Sequence, residues 1–359
     1  DPLLTIGCPF FLFLPNTKKN MKQLRIPLLV ILILPCLNAA PKPQKIALWD
    51  NHAPIGKGKF NKEDAWIHLH QPTKPNGAAV IICPGGGYGA QVMGAEGHGI
   101  AKWLNGHGVT GVVLQYRLPR GRSFVPLMDA QRAIRTVRSK AEEWQLDPKK
   151  IGIIGFSAGG HLASTAATHF PKSGEPPAKN HFDRISCRPD FAILVYPVVT
   201  MGKYTHGGSK RNLLGNNPDA KLVELFSNEK QVTKNTPPIY LAHAVDDRPV
   251  PPENSRMLYA ALQKNKVPSE YLELPNGGHG LNGYKGPSWD AWQKGSLEWL
   301  AKLKVIPGKH RISTMSSIFY GVTAFFLLPG GIRIGKGSRF VRRGCEWARK
   351  HALSGCTYG

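Results

Sequence analysis

The chain has 359 residues, 42% of them hydrophobic, with 39 Gly, 30 Pro and six Cys. That supplies a core for one large α/β domain or two small ones, and it excludes wholesale disorder, a collagen repeat and a disulfide scaffold. The formal charge of +24 is uneven: +3 over residues 1–40, +13 over 41–304 and +8 over 305–359. A basic surface attracts anionic partners, but no nucleic-acid-binding motif accompanies the charge, so no nucleic-acid partner is expected.

Met21-Lys-Gln-Leu-Arg25 forms a basic stretch, Ile26 to Leu37 an apolar one, and Asn38-Ala-Ala40 offers small residues for cleavage. That is the layout of a secretory signal peptide over 21–40 and implies export to the periplasm or exterior. The expectation is that translation starts at Met21 and that 1–20 is an upstream artefact. The apolar run is too short to span a bilayer, which takes about 20 residues.

Over 41–304 short apolar runs alternate with helical periodicity. Strands are expected at Ala78–Cys83, Gly111–Tyr116, Ile151–Phe156, Phe191–Val195, Ile239–His243 and Glu270–Leu274. Helices are expected at Ile100–Asn105, Met128–Trp144, Ala158–His169, Glu253–Lys264 and Trp289–Lys302. This alternation predicts an α/β domain with a mostly parallel sheet and helices on both faces. Segments 171–189 and 201–237 lack a clear period and are expected to form a small cap-like insertion between the fourth and fifth strands.

Beyond the last helix, 312–332 holds 21 uncharged residues and is followed by a basic run from Arg333 to Lys350. Two readings of 305–359 stand: a C-terminal membrane anchor with its tail in the cytoplasm, and a frameshifted tail without selected function.

Four stretches carry chemistry. Gly155-Phe-Ser-Ala-Gly159 lies between an expected strand and helix. A serine there is exposed by a tight turn that small flanking residues permit, which makes Ser157 the candidate nucleophile. Cys83-Pro-Gly-Gly-Gly-Tyr88 follows the first inner strand, and its glycines can turn backbone N–H groups toward a developing oxyanion. The amides of Gly86, Gly87 and Ala158 are the candidates. His279 sits among glycines after the sixth strand, where a base can reach Ser157. Asp246 and Asp247 follow the fifth strand, and either carboxylate could orient it. The chain order Ser, Asp, His is that of one hydrolase architecture. His161 is read as a packing residue. Tyr88, Tyr284 and Trp289 are candidate substrate-binding aromatics by their nearness in sequence to the site. His68, His70, His98 and His107 show no coherent ligand spacing, so no metal and no cofactor is expected. Cys83 and Cys187 are expected as buried free thiols.

From about Lys45 to Lys304 the chain resembles the α/β-hydrolase superfamily, and within it the acetylxylan-esterase-like and hormone-sensitive-lipase-like carboxylesterases. The resemblance rests on Pro84-Gly-Gly-Gly-Tyr88, Asp129-Ala-Gln-Arg132, Gly155-Phe-Ser-Ala-Gly-Gly-His161, Arg211-Asn-Leu-Leu-Gly215, Asp246-Asp-Arg-Pro-Val-Pro251 and Gly278-His-Gly280. In such proteins the acid lies four residues after a histidine, which here implies Asp247. Pro84 stands where the lipase-like relatives carry His, which favours the carbohydrate-esterase branch. The resemblance implies a serine carboxylic-ester hydrolase working through an acyl-enzyme, with acetylated xylan or a related small-molecule or polysaccharide ester as substrate. A general short-chain esterase or lipase and a serine peptidase-like hydrolase are the alternatives. Some relatives are loosely labelled xylanases, but glycosidase chemistry needs paired carboxylates rather than this triad.

Overall fold

The computed structural model describes residues 41–171 and 181–308. The signal-peptide stretch, the residues before it and the 312–332 segment lie outside the described residues. β1 (Gln44–Ala47), a β2–β3 hairpin (Ala53–Gly56 and Lys59–Asn61) and β4 (Trp66–His70) lead into β5 (Ala79–Cys83). A π-helical turn over Met93–Gly99 runs into α1 (Ile100–Asn105), followed by β6 (Thr110–Gln115) and α2 (Val125–Ser139). Then come β7 (Ile151–Phe156), α3 (Ser157–Thr168), α4 (His181–Arg184), β8 (Ala192–Val195), α5 (Gly207–Leu214) and α6 (Ala220–Leu225). β9 (Ile239–Ala244), α7 (Glu253–Lys264), β10 (Ser269–Leu274), the short α8 (Leu281–Tyr284) and α9 (Gly286–Lys302) complete the order.

Eight strands form one sheet in the order β1-β4-β6-β5-β7-β8-β9-β10. From β6 to β10 all pairings are parallel, whereas β1 and β4 add an antiparallel edge. The inner strands are apolar on both faces because both faces are covered. Ile81, Val112, Ile153, Leu194 and Leu241 point into one core layer with Ala133 and Ile134 of α2, Leu162 of α3 and Leu258 of α7. Ile82, Val113, Ile154, Val195 and Ala242 point into the other, with Leu104 of α1 and Trp292 and Trp299 of α9. The mostly parallel sheet with helices on both faces is therefore present.

Three expectations are corrected. Four strands, β1 to β4, precede Ala79, where the sequence reading places none. α2 ends at Ser139 rather than Trp144, because residues 140–145 continue as turns and Gln145 takes a left-handed backbone with φ 57°. Residues 201–237 do lie between β8 and β9, but 171–189 precedes β8, so the two segments are separate insertions. Within 171–189 only residue 171 and residues 181–189 are described.

Candidate active site

β7 passes into α3 without a loop. Phe156 is still extended, with φ −117° and ψ 133°, and Ser157 turns to φ 53° at the first helical position. A side chain rarely adopts that conformation; it is held where surrounding structure over-determines it, and such sites cluster at functional centres. Two glycines make it fit. A Cβ on Gly155 would lie 2.1 Å from the Gly159 carbonyl oxygen, and one on Gly159 would lie 2.0 Å from the Cys83 carbonyl oxygen. Even alanine at either place would force backbone apart, so the Gly-x-Ser-x-Gly spacing is a steric requirement here.

The Ser157 hydroxyl donates to His279 Nε2 at 2.9 Å, and His279 Nδ1–H donates to Asp247 Oδ2 at 2.8 Å. The three side chains follow the C-terminal ends of β7, β9 and β10, which run parallel with β8 between β7 and β9 and so open on the same end of the sheet. Asp247 is fully buried. Its Oδ1 accepts from Val250 N–H at 3.0 Å, and its Oδ2 also faces His243 Nε2 at 3.2 Å. Burial raises its carboxyl, but hydrogen bonds from His243 and His279 outweigh burial and hold it at about 2. It is a carboxylate at neutral pH. Asp246, the other candidate acid, turns away and accepts from the amides of Gly277 and Gly278 at 3.3 and 2.8 Å. One aspartate thus orients the imidazole and its neighbour anchors the backbone that carries it.

The glycine turn after β5 lies against this array. Gly86 takes φ 126°, and a Cβ there would meet the Ala90 carbonyl oxygen at 2.4 Å. Among the described residues the Gly86 and Gly87 N–H groups have no acceptor within the protein. Ala158 sits in the first turn of α3, where N–H groups lack an intrahelical partner. Gly86, Gly87, Ser157 and His279 line one cavity of about 410 Å³ with Glu96, His206, Asn212, Val250 and Tyr284. Of the three candidate aromatics, Tyr284 therefore reaches the cavity. Tyr88 does not: it is buried, and its hydroxyl donates to His161 Nδ1 at 2.8 Å. Trp289 is also buried, packed against Phe156, Tyr284 and Trp292, and is a core residue of α9. His161 closes the Tyr88 contact by donating Nε2–H to the Phe226 carbonyl at 2.8 Å, and burial pushes it down to about 4, so it is neutral.

Further residues meet at the site: Glu96, Tyr196 and His206 have no distinct signal in the sequence, whereas Asn212 lies in the Arg211-Asn-Leu-Leu-Gly215 stretch that carries the resemblance. Glu96 is buried beside Gly85 and accepts its N–H at 2.7 Å. Tyr196, just past β8, packs its ring on His279 at 5.0 Å between centroids. From the 201–237 segment, Asn212 donates to the Gly87 carbonyl at 2.9 Å. His206 caps α5, its Nδ1 accepting from Ser209 N–H at 3.2 Å, which leaves the proton on Nε2. Cys83 and Cys187 are buried free thiols. Among the described residues no group of three or more His, Cys, Asp or Glu is arranged to hold a metal ion.

A family model described as BD-FAE matches residues 67–262, a span that takes in Ser157 and Asp247. The chain is 38% identical over 222 residues to endo-1,4-beta-xylanase B of Butyrivibrio fibrisolvens, covering 60% of this chain and 34% of that protein. It is 36% identical over 215 residues to an acetylxylan esterase of Xylanibacter ruminicola, covering 58% of this chain and 42% of that one. The chain thus spans less than half the length of either curated relative. Among solved structures, the acetyl ester-xyloside bifunctional hydrolase of Caldicellulosiruptor lactoaceticus superposes with a TM-score of 0.67 at 38% identity, over 75% of this chain and 99% of that one. Carboxylesterase Cest-2923 of Lactobacillus plantarum, 23% identical with a TM-score of 0.60, shares the fold.

Proposed function

The chain belongs to the BD-FAE family and has the α/β-hydrolase fold, and we propose that it is a serine carboxylic-ester hydrolase that deacetylates xylan or related acetylated carbohydrates. The observation that carries this reading is the continuous relay Ser157–His279–Asp247, with links of 2.9 and 2.8 Å. His279 Nε2 takes the hydroxyl proton as Ser157 Oγ attacks the ester carbonyl carbon, and the carbonyl electrons move onto its oxygen. The amides of Gly86, Gly87 and Ala158 receive that oxyanion; one such donor typically contributes about 3–4 kcal/mol to barrier lowering. The tetrahedral species collapses, the C–O bond to the sugar breaks, and the departing oxygen takes the proton from His279. Water, deprotonated by His279, then attacks the acyl-serine carbonyl, the acyl C–Oγ bond breaks with the proton returned from His279 to Ser157 Oγ, and the acid leaves. Asp247 keeps the Nδ1–H tautomer and stabilises the imidazolium.

The acetylated-carbohydrate reading is supported by the names of the relatives and by a cavity near the small end of ligand sites, which run from about 300 to 1,000 Å³. Export is read from the 21–40 sequence layout. Ser157→Ala is expected to abolish p-nitrophenol release from p-nitrophenyl acetate and acetate release from acetylated xylan; full retention of either activity removes the nucleophile assignment. An acyl-chain series that prefers long chains over acetate would replace the proposal with a lipase-like one.

A further inference from the structure

The Glu96 side chain lies on the π-helical turn that precedes α1 with 3% of its surface exposed, and burial raises its carboxyl above the usual range. π-Turns inside helices recur at functional sites. No Lys or Arg pairs with it among the described residues. Polar groups from three other loops converge on it instead. Oε2 accepts from Gly85 N–H at 2.7 Å, Oε1 accepts from the Tyr196 hydroxyl at 2.9 Å, and the Tyr284 hydroxyl interacts with the same carboxylate. Each donor adjoins a different part of the site. Gly85 starts the turn that presents the Gly86 and Gly87 amides. Tyr196, held at φ 37°, lays its ring against His279. Tyr284 follows His279 by five residues and lines the cavity. Glu96 and the nucleophile also flank one glycine: a Cβ on Gly85 would lie 2.7 Å from Glu96 Oε2 and 2.9 Å from Ser157 Cβ.

We propose that Glu96 is a positioning residue that holds the oxyanion turn, Tyr196 and Tyr284 in register around Ser157 and His279. A buried carboxylate is costly unless its oxygens are satisfied, and here the donors that satisfy it are the ones the site must fix in place. A packing residue would be replaceable by any side chain of similar volume; a three-way acceptor is not. Because the turn and the imidazole act in the chemical step, the loss falls on kcat rather than on KM.

The inference rests on the serine-esterase reading, and the experiment separates the two. The full chain and its Glu96→Ala, Glu96→Gln and Tyr196→Phe variants are assayed with p-nitrophenyl acetate, and Ser157 is labelled with a fluorophosphonate. Glu96→Ala is expected to lower kcat about 100-fold with KM within about threefold, the scale of a displaced donor. Glu96→Gln should recover to within about tenfold of wild type, since its oxygen still accepts from Gly85 while its amide donates to Tyr196. Tyr196→Phe keeps the ring and loses one anchor, and should cost about fivefold. Glu96→Ala with kcat within twofold of wild type, or Gln no better than Ala, overturns the assignment. If Glu96→Ala does not fold, the Gln and Phe variants decide, and wild-type kcat in both overturns it. An active, labelled wild type with indifferent variants defeats the Glu96 role only; a wild type that neither hydrolyses nor labels defeats both readings.

Discussion

Two fully buried aspartates show how the same side chain serves different ends. Asp129 on α2 is sealed by Arg117 through Nε and Nη2, by the Arg117 amide at 2.8 Å and by Trp49 Nε1 at 2.7 Å. Asp247 after β9 is surrounded by His243, His279 and the Val250 amide. A guanidinium keeps its charge, so the first cluster is a fixed joint tying the segment before β2 to α2. In the second cluster His279 stands between the carboxylate and Ser157, so it can take the proton of the attacking hydroxyl while Asp247 orients it. The partner, not the carboxylate, decides which is structural and which is chemical.

The comparison can be broken by exchanging each acid for its amide. Asp247→Asn should cost the most activity, lowering kcat by about three to four orders of magnitude through the wrong imidazole tautomer. A loss under tenfold would place the orienting acid elsewhere. Asp129→Asn should instead cost stability, about 3–5 kcal/mol by chemical denaturation, because it leaves a buried guanidinium without its counter-charge. Activity per folded molecule should stay near wild type, and a kcat loss matching that of Asp247→Asn would collapse the distinction. The smallest effect is in acid. Asp247 is held at about 2, below the value near 4 of an unfolded carboxyl, so its contribution to stability is complete above that value and fades as pH falls toward 2. Urea midpoints measured from pH 5 to pH 2 should therefore fall more steeply for wild type than for Asp247→Asn, and parallel curves would sink this point.

The inner strands were legible because a strand covered on both faces must be apolar throughout, as Ala79–Cys83 and Ile151–Phe156 are. The antiparallel edge escaped because β4 carries His68 and His70 among its apolar residues and the strands before it are only three or four residues long. Ser157 and His279 stood out because each sits among glycines that the local geometry needs. The choice between Asp246 and Asp247 could be reached from the sequence only through a family resemblance, and spatially it turns on which carboxylate faces an imidazole and which faces Gly277 and Gly278. Tyr88 and Trp289 show the limit of arguing from closeness along the chain: both neighbour site residues in sequence, yet both side chains point into the core. Glu96 had no signal, because a lone glutamate in a short helical stretch reads as solvated, and its role exists only where three loops converge.

The contact of Gly159 with the Cys83 carbonyl oxygen has an evolutionary reading. The two turns that bear the reactive hydroxyl and the oxyanion donors are pressed together main chain to main chain, with no room for a single methyl group. Neither can drift independently, so descendants of this scaffold must inherit the pair unchanged. His206 and Asn212, by contrast, belong to a segment that joins two strands without belonging to the sheet. New substrate preferences should accumulate there, and a library that randomises 201–237 around those two positions is where a protein engineer should look for altered selectivity.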